Sequence, residues 1–233
     1  MNAIIMAAGL GSRFKELTKH HHKALLPING VPNLERTITM LQAANITEVH
    51  IVTGYLANQF NYLQERFSDM HIVLHYNDHY ADYNNRYSFQ LALPFFGDSF
   101  VIDADTVMRD NVFTDVPTES TYLTVLRTIH GTEWCPQTNQ DGRVTKMLVT
   151  DQEIPSMSGI SFWNKSTATI IKNAFPQYAT LQQLQEKRFY WDDIPVAMLD
   201  ELSIGTREVK SSAMYEMDTQ DNYQKIQELL QED

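Results

Sequence analysis

The chain has 233 residues, 43% of them hydrophobic and 11% aromatic, which is the make-up of a globular protein able to bury a core without staples. A single cysteine, Cys135, excludes a disulfide framework and a cysteine-built zinc site, and a formal charge of −11 argues against broad nucleic-acid or anionic-membrane binding. No apolar run approaches the ~20 residues of a bilayer span, and residues 1–8 lack the basic start of a signal peptide. These features predict a cytoplasmic protein with no membrane insertion and no nucleic-acid partner.

In chain order, residues 2–8 form a short apolar run ended by glycines, as a buried parallel strand would be. Leu34, Ile38, Leu41 and Ala44 fall at helical spacing after Pro32. A β-rich run over 49–54 is followed by a second helical stripe at Phe60, Leu63 and Phe67. Further strands are predicted at 71–76 and 99–105. Beyond residue 110 the alternation loosens, with long strand candidates at 120–127, 143–150 and 158–164. Helices are predicted near 166–175, 180–188 and 219–231. Strand–helix alternation of this kind predicts an α/β fold, a doubly wound and mostly parallel Rossmann-like sheet. Extra strands and a lid fill the second half. Ligands of such sheets bind beyond the carboxyl ends of the strands.

The sharpest motif follows the first strand. Ala7, Ala8, Gly9 and Gly11 open a loop whose glycines leave backbone N–H groups free to face a phosphate chain. Arg13 adds a planar fork and Lys23 a point charge for the same anion. Arg13, Lys15, Lys19 and Lys23 stand against Glu16 alone in the first thirty residues, a basic island in an acidic chain. A dinucleotide fingerprint is excluded because Phe14 replaces its third glycine, and the Gly-Lys-Ser/Thr ending of a P-loop is absent. A plain glycine turn is the remaining bland reading. His20, His21 and His22 read as a solvated loop, since adjacent histidines cannot all face one metal.

Two acidic pairs come next. Asp103 and Asp105 end a predicted strand, where alternation sends both to one face, and Glu216 with Asp218 repeats the spacing. Carboxylates so placed repel unless a cation joins them, and hard divalent ions favour such oxygen ligands. A third cluster is aromatic. Trp134 lies beside Glu133, and Tyr190 and Trp191 precede Asp192. Ring faces with nearby anions suit a quaternary ammonium, although large aromatics are also ordinary core residues.

The segments GLGSR, KALLP, VTGY, YNDHYADYNNRYS, VIDAD, TEW, SGISFW, YWDD and YEMD span nearly the whole chain. Together they resemble the bacterial choline-phosphate cytidylyltransferases of the sugar-phosphate nucleotidyltransferase superfamily. One position departs from the pattern: His22 stands where a proline usually precedes the lysine. The resemblance implies one nucleotidyltransferase domain over 1–233, with a nucleotide-binding half (1–110) and an acceptor-binding half (111–233). It implies transfer of a cytidylyl group from CTP to phosphocholine, giving CDP-choline and pyrophosphate. Mg2+ is the implied cofactor, held by Asp105 and Asp218. Arg13, Lys23 and Asp105 are the implied catalytic groups. Asn84, Asn85 and Ser88 are implied to face the base, although asparagine pairs also serve turns and helix caps. Trp134, Tyr190, Trp191, Asp192 and Glu216 are implied to enclose the choline group, with Arg127 clamping the acceptor phosphate. A sugar-1-phosphate nucleotidyltransferase and a non-catalytic nucleotide-sensing domain of the same fold are the competing readings. The oligomeric state is left open.

Overall fold

A computed structural model of the chain describes residues 1–14, 16–127 and 131–231, so Lys15 of the basic island lies outside the described residues. β1 (Asn2–Ala7) leads into the glycine loop, a short hairpin of β2 (Pro27–Ile28) and β3 (Val31–Pro32), and helix α1 (Asn33–Ala43). β4 (Glu48–Thr53), α2 (Tyr62–Arg66), β5 (His71–Tyr76), α3 (Asn85–Ala92), β6 (Ser99–Asp103) and β7 (Thr106–Met108) follow. The second half supplies β8 (Thr121–Val125), the paired β9 (Glu133–Thr138) and β10 (Val144–Thr150), and β11 (Ser156–Trp163). Helices α4 (Lys165–Tyr178), α5 (Leu181–Gln185) and α6 (Asp193–Ala197) come next. Strands β12 (Gly205–Val209) and β13 (Met214–Glu216) precede α7 (Gln220–Leu229).

Seven strands form one sheet in the order β12-β8-β11-β6-β1-β4-β5. β1 is parallel to β4 and β6, β4 to β5, and β8 to β12. β11 alone in this sheet runs antiparallel, between β6 and β8. The fold is therefore α/β with a mostly parallel central sheet. The second half, which reads in sequence as strands without helices, inserts β11 and β8 into that sheet rather than building a separate one.

Period-two alternation sorts the strand side chains between two cores. Ala3, Ile5, Ile51 and Ile102 pack with Leu34, Ile38 and Leu41 of α1 on one face. Ile4, Val52 and Val101 pack with Phe89 of α3 and Ile171 and Phe175 of α4 on the other. Full burial of each such side chain contributes about 1.5–3 kcal/mol. A third cluster joins Phe14, Leu26, Ile28, Val107, Met217 and Ile226, so α7 and β13 buttress the segment after the glycine loop.

From β1 the sheet grows through β4 on one side and through β6 on the other. The order reverses between β1 and β6, whose carboxyl ends lie in register with Met6 opposite Asp103. In an open α/β sheet this switch point is where a ligand crevice forms.

Candidate active site

The glycine loop begins at that switch point. Gly11 has φ +61, and a Cβ there would lie 3.2 Å from Thr18 Cγ2 and 3.3 Å from Lys23 Cβ. Only glycine takes this turn without strain or crowding. Ser12–Phe14 then forms a 3₁₀ turn, with the Phe14 N–H donating to the Gly11 carbonyl at 3.0 Å. Phe14 is buried beneath the loop, and the Lys23 ammonium stands 5.3 Å from its ring centroid. Gly54, at the end of β4, explains the VTGY segment. A Cβ there would fall 2.5 Å from Tyr80 Cβ and 2.9 Å from the Ala8 carbonyl oxygen. A bare backbone is what lets that turn lie against the loop.

Antiparallel pairing of β7 with β13 sets Glu216 opposite Thr106, and the Met217 N–H donates to the Asp105 carbonyl at 3.0 Å. This long-range pairing merges the two acidic pairs into one cluster. Carboxylate oxygens of Asp105, Glu216 and Asp218 lie within 4.8 Å of one another. Lys23 Nζ donates to Asp105 Oδ2 at 2.8 Å and to Asp218 Oδ1 at 3.2 Å. Arg13 Nη1 donates to Asp218 Oδ2 at 2.7 Å, and Arg127 Nη1 to Glu216 Oε2 at 2.7 Å. Negative charge is still in surplus. Burial pushes the Glu216 carboxyl up to about 7 despite Arg127, and Asp105 and Asp218 add to the rise. Asp192 is pushed up to about 7 by burial and the neighbouring Asp193 charge. Asp103 lies well above the carboxylate range, again through burial first and then through Asp105, Asp192 and Glu216.

These groups floor a cleft of about 620 Å³, with the glycine loop and Lys23 on one side and Tyr80, Tyr83 and Tyr190 among the other walls. Amides, a lysine, a carboxylate cluster and ring faces converge on it, which suits a polyphosphate and a cationic group together.

Residues 3–110 match the MobA-like NTP transferase domain. The chain is 45% identical to a choline-phosphate cytidylyltransferase of Haemophilus influenzae over 99% of this chain and 97% of that relative. It belongs to the choline-phosphate cytidylyltransferase family. A second member, from Streptococcus pneumoniae, is 36% identical over 99% of this chain and 98% of its own length. The solved structure of CTP:phosphocholine cytidylyltransferase (LicC) from Streptococcus pneumoniae aligns with a TM-score of 0.92 at 35% identity, covering 98% of each chain.

The sequence-derived site residues divide into those at the cleft and those elsewhere. Ala7, Ala8, Gly9, Gly11, Arg13, Lys23, Asp105, Glu216 and Asp218 all line it, as do Tyr190 and Asp192. Asp103 and Asp105 do not share a strand face, because β6 ends at Asp103 and the chain turns before β7. Asn84, Asn85 and Ser88 line the cleft as well, but each also holds the wall together. Asn84 caps α3 through the Arg86 N–H at 3.1 Å and donates to the Gln183 and Glu186 carbonyls. Asn85 Oδ1 accepts the Trp191 N–H at 2.7 Å, and Ser88 Oγ accepts from Asn77 Nδ2 at 2.8 Å.

Three residues expected at the acceptor end lie outside the lining of this cleft, and one expectation is corrected. Trp191 is 2% exposed, stacks on Phe89 at 4.4 Å within the second core, and lines a small side cavity with Asp103 and Asp192. Trp134 sits on β9 opposite Val149 of β10, and its ring is not among the residues lining the cleft. Arg127 donates to Glu216 and to the Met157 carbonyl, and it is not among the residues lining the cleft. His22 is not solvated. It is 3% exposed and packs edge-on against Phe60 at 4.8 Å.

The cleft also contains residues that sequence reasoning passed over: Tyr80, Tyr83, Lys187 and Phe189. The tyrosine-rich segment 80–87 was the available signal. Phe189 is gripped between the guanidinium groups of Arg86 at 4.3 Å and Arg188 at 4.8 Å. Arg86 is itself buried and donates to the Tyr178 and Tyr190 carbonyls, tying the Tyr190 segment to the first turn of α3.

Proposed function

We propose that this cleft transfers a cytidylyl group from CTP to phosphocholine within one nucleotidyltransferase domain. Residues 1–110 hold the nucleotide and residues 111–233 complete the acceptor end. The observation that carries the reading is Lys23, whose ammonium bridges Asp105 and Asp218 beside the glycine loop. The chain is an enzyme of the nucleotidyltransferase class, and its reaction is CDP-choline synthesis.

A phosphate-monoester oxygen of phosphocholine attacks the α-phosphorus of CTP. A new P–O bond forms there, and the bond from the α-phosphorus to the oxygen bridging the β-phosphorus breaks. That electron pair leaves with pyrophosphate. The attacking monoester has a second pKa near 6 and is mostly dianionic near neutral pH, so no protein base is needed. What the reaction requires is alignment and charge neutralisation. Loop amides from Ala8 to Gly11 and Arg13 hold the triphosphate. Lys23 meets the charge that grows on the α-phosphate and the departing pyrophosphate, from a position fixed in advance.

The acidic cluster fits a hard divalent cation, with one oxygen from each of three carboxylates within 4.8 Å of the others. We assign Mg2+ there, with Asp105 and Asp218 as its holders; when bound it supplies Lewis-acid neutralisation of the phosphate oxygens.

At the acceptor end, the Tyr190 ring face with Asp192 and Glu216 suits a trimethylammonium, which has no hydrogen bonds to lose on leaving water. A relative from Lancefieldella rimae, 30% identical over 94% of this chain and 88% of its own length, is named 2-aminoethylphosphonate cytidylyltransferase. Among the described residues no helix is long and apolar enough to cross a membrane, and we assign the reaction to the cytoplasm.

Incubation with CTP labelled at the α-phosphate tests the transfer. The label should pass into the diphosphate bridge of CDP-choline only when phosphocholine is present, with unlabelled pyrophosphate released. Label that stays in CTP, or appears in pyrophosphate, would contradict the reading.

A further inference from the structure

His22 is a buried group for which the chemistry above has no use. It is 3% exposed, lines the cleft beside Gly9 and Lys23, and packs against Phe60. Its Nδ1 accepts the Ala24 N–H at 3.1 Å, capping the 3₁₀ turn Lys23–Leu25 that carries the lysine. A nitrogen that accepts cannot hold the ring proton, so the neutral ring carries it on Nε2. That Nε2 is buried without a hydrogen-bond partner. The Gly9 backbone of the phosphate loop comes near enough to the ring to raise its proton affinity, yet not within hydrogen-bond geometry of Nε2.

A buried donor left unmade needs an explanation, and ligand binding offers one. In a planar trans peptide the carbonyl and the following N–H point in opposite directions. A donor that holds the Gly9 carbonyl against the cleft wall therefore aims the Leu10 N–H into the cleft. We propose that His22 is a positioning residue for the phosphate loop: its Nε2–H takes the Gly9 carbonyl when the triphosphate binds, orienting the Gly9–Leu10 peptide as an anion donor. The group acts through the loop because its own Nε2 is shielded from the cleft by the surrounding atoms. Its two nitrogens thus serve the two halves of the cradle, Nδ1 the lysine turn and Nε2 the glycine turn.

The inference rests on the nucleotide reading of the cleft, and its test separates the two. CTP binding is measured by calorimetry with Mg2+ and no acceptor, in the wild type, His22→Asn and His22→Gln. Asparagine reproduces the Nδ1 acceptor and keeps the cap but lacks the Nε2 donor, whereas glutamine reaches to the Nε2 position and loses the cap. His22→Asn should bind CTP about 3- to 10-fold more weakly, the range of one net hydrogen bond, with KM for phosphocholine unchanged. His22→Gln should recover most of that affinity while melting at a lower temperature. CTP binding by His22→Asn equal to wild type would overturn the inference and leave His22 a helix cap. A wild type that binds no CTP would overturn the nucleotide reading itself. Imidazole NMR of the unmutated protein supplies a readout independent of folding. It should show a neutral Nε2–H ring whose proton exchanges slowly and shifts downfield on CTP addition. A ring proton on Nδ1, or an Nε2–H signal indifferent to CTP, would overturn the inference.

Discussion

Lys23 Nζ stands 2.8 Å from Asp105 Oδ2, so the lysine of the phosphate loop and a carboxylate from the far side of the switch point already form one charged unit. The pair is only partly exposed, and Asp218 joins it from the segment just after β13, near the other end of the chain. A cation fixed there meets developing charge without having to reorganise.

Lys23→Ala should therefore slow the chemical step more than it weakens nucleotide binding. Removing one preorganised contact of this kind typically costs about 10²–10³ in rate. Steady-state kinetics should show the loss in kcat. A raised KM for CTP with kcat unchanged would make Lys23 a binding group only.

The acidic cluster leads to a metal prediction. Carboxylate oxygens of Asp105, Glu216 and Asp218 lie within 4.8 Å of one another, and two anionic substrates must meet beside them. Turnover should disappear in excess EDTA and return with Mg2+. Asp105→Asn should lose orders of magnitude in rate while keeping its melting temperature within a few degrees. Full activity in the chelator would remove the metal from the account.

Tyr190 and Trp191 are neighbours with opposite fates, which yields a paired prediction. Tyr190 is 52% exposed at the cleft, whereas Trp191 is core. Tyr190→Ala should narrow the kcat/KM preference for phosphocholine over phosphoethanolamine by about 2- to 30-fold, the worth of one cation–π contact. Trp191→Ala should instead destabilise the fold by about 3–5 kcal/mol, read in denaturant unfolding. A Trp191→Phe variant that loses acceptor preference at wild-type stability would return that ring to the cage.

His22 predicts a pH dependence of stability. Burial holds its pKa down at about 4, with the Gly9 backbone acting upward and Lys23 downward. The unfolded chain takes up this proton below about 6.5 while the folded state resists it. The stability is thus present above pH 6.5 and is lost as pH falls from there towards 4. The full effect is on the order of 3 kcal/mol. His22→Asn should lose less stability over that interval than wild type. Parallel curves for the two proteins would contradict a neutral buried His22.

What was legible in the sequence is what is local. The glycine loop, Arg13 and Lys23 lie in one segment after one strand, and an anion cradle is built from consecutive backbone groups. The sheet was legible for the same reason, since each strand and helix declares its own period. The merging of Asp105 with Glu216 and Asp218 was not, because it depends on β7 pairing with β13 across most of the second half. Trp191 misled because adjacent residues in a turn point to different sides, and proximity to Asp192 says nothing about which ring faces solvent. His22 misled because its burial comes from Phe60, on a segment the loop itself does not announce. The pairing of Arg127 with Glu216 was not legible either, because the two are distant in sequence.

The central claim is that one cleft joins CTP to phosphocholine. The most direct test measures pyrophosphate release by the purified protein with each nucleoside triphosphate, Mg2+, and a panel of phosphocholine, phosphoethanolamine, 2-aminoethylphosphonate and glucose 1-phosphate. The account expects the highest kcat/KM for CTP with phosphocholine, lower values for the primary amines, and none for the sugar phosphate. Preferred turnover of the sugar phosphate, or no acceptor-dependent release from CTP, would contradict it.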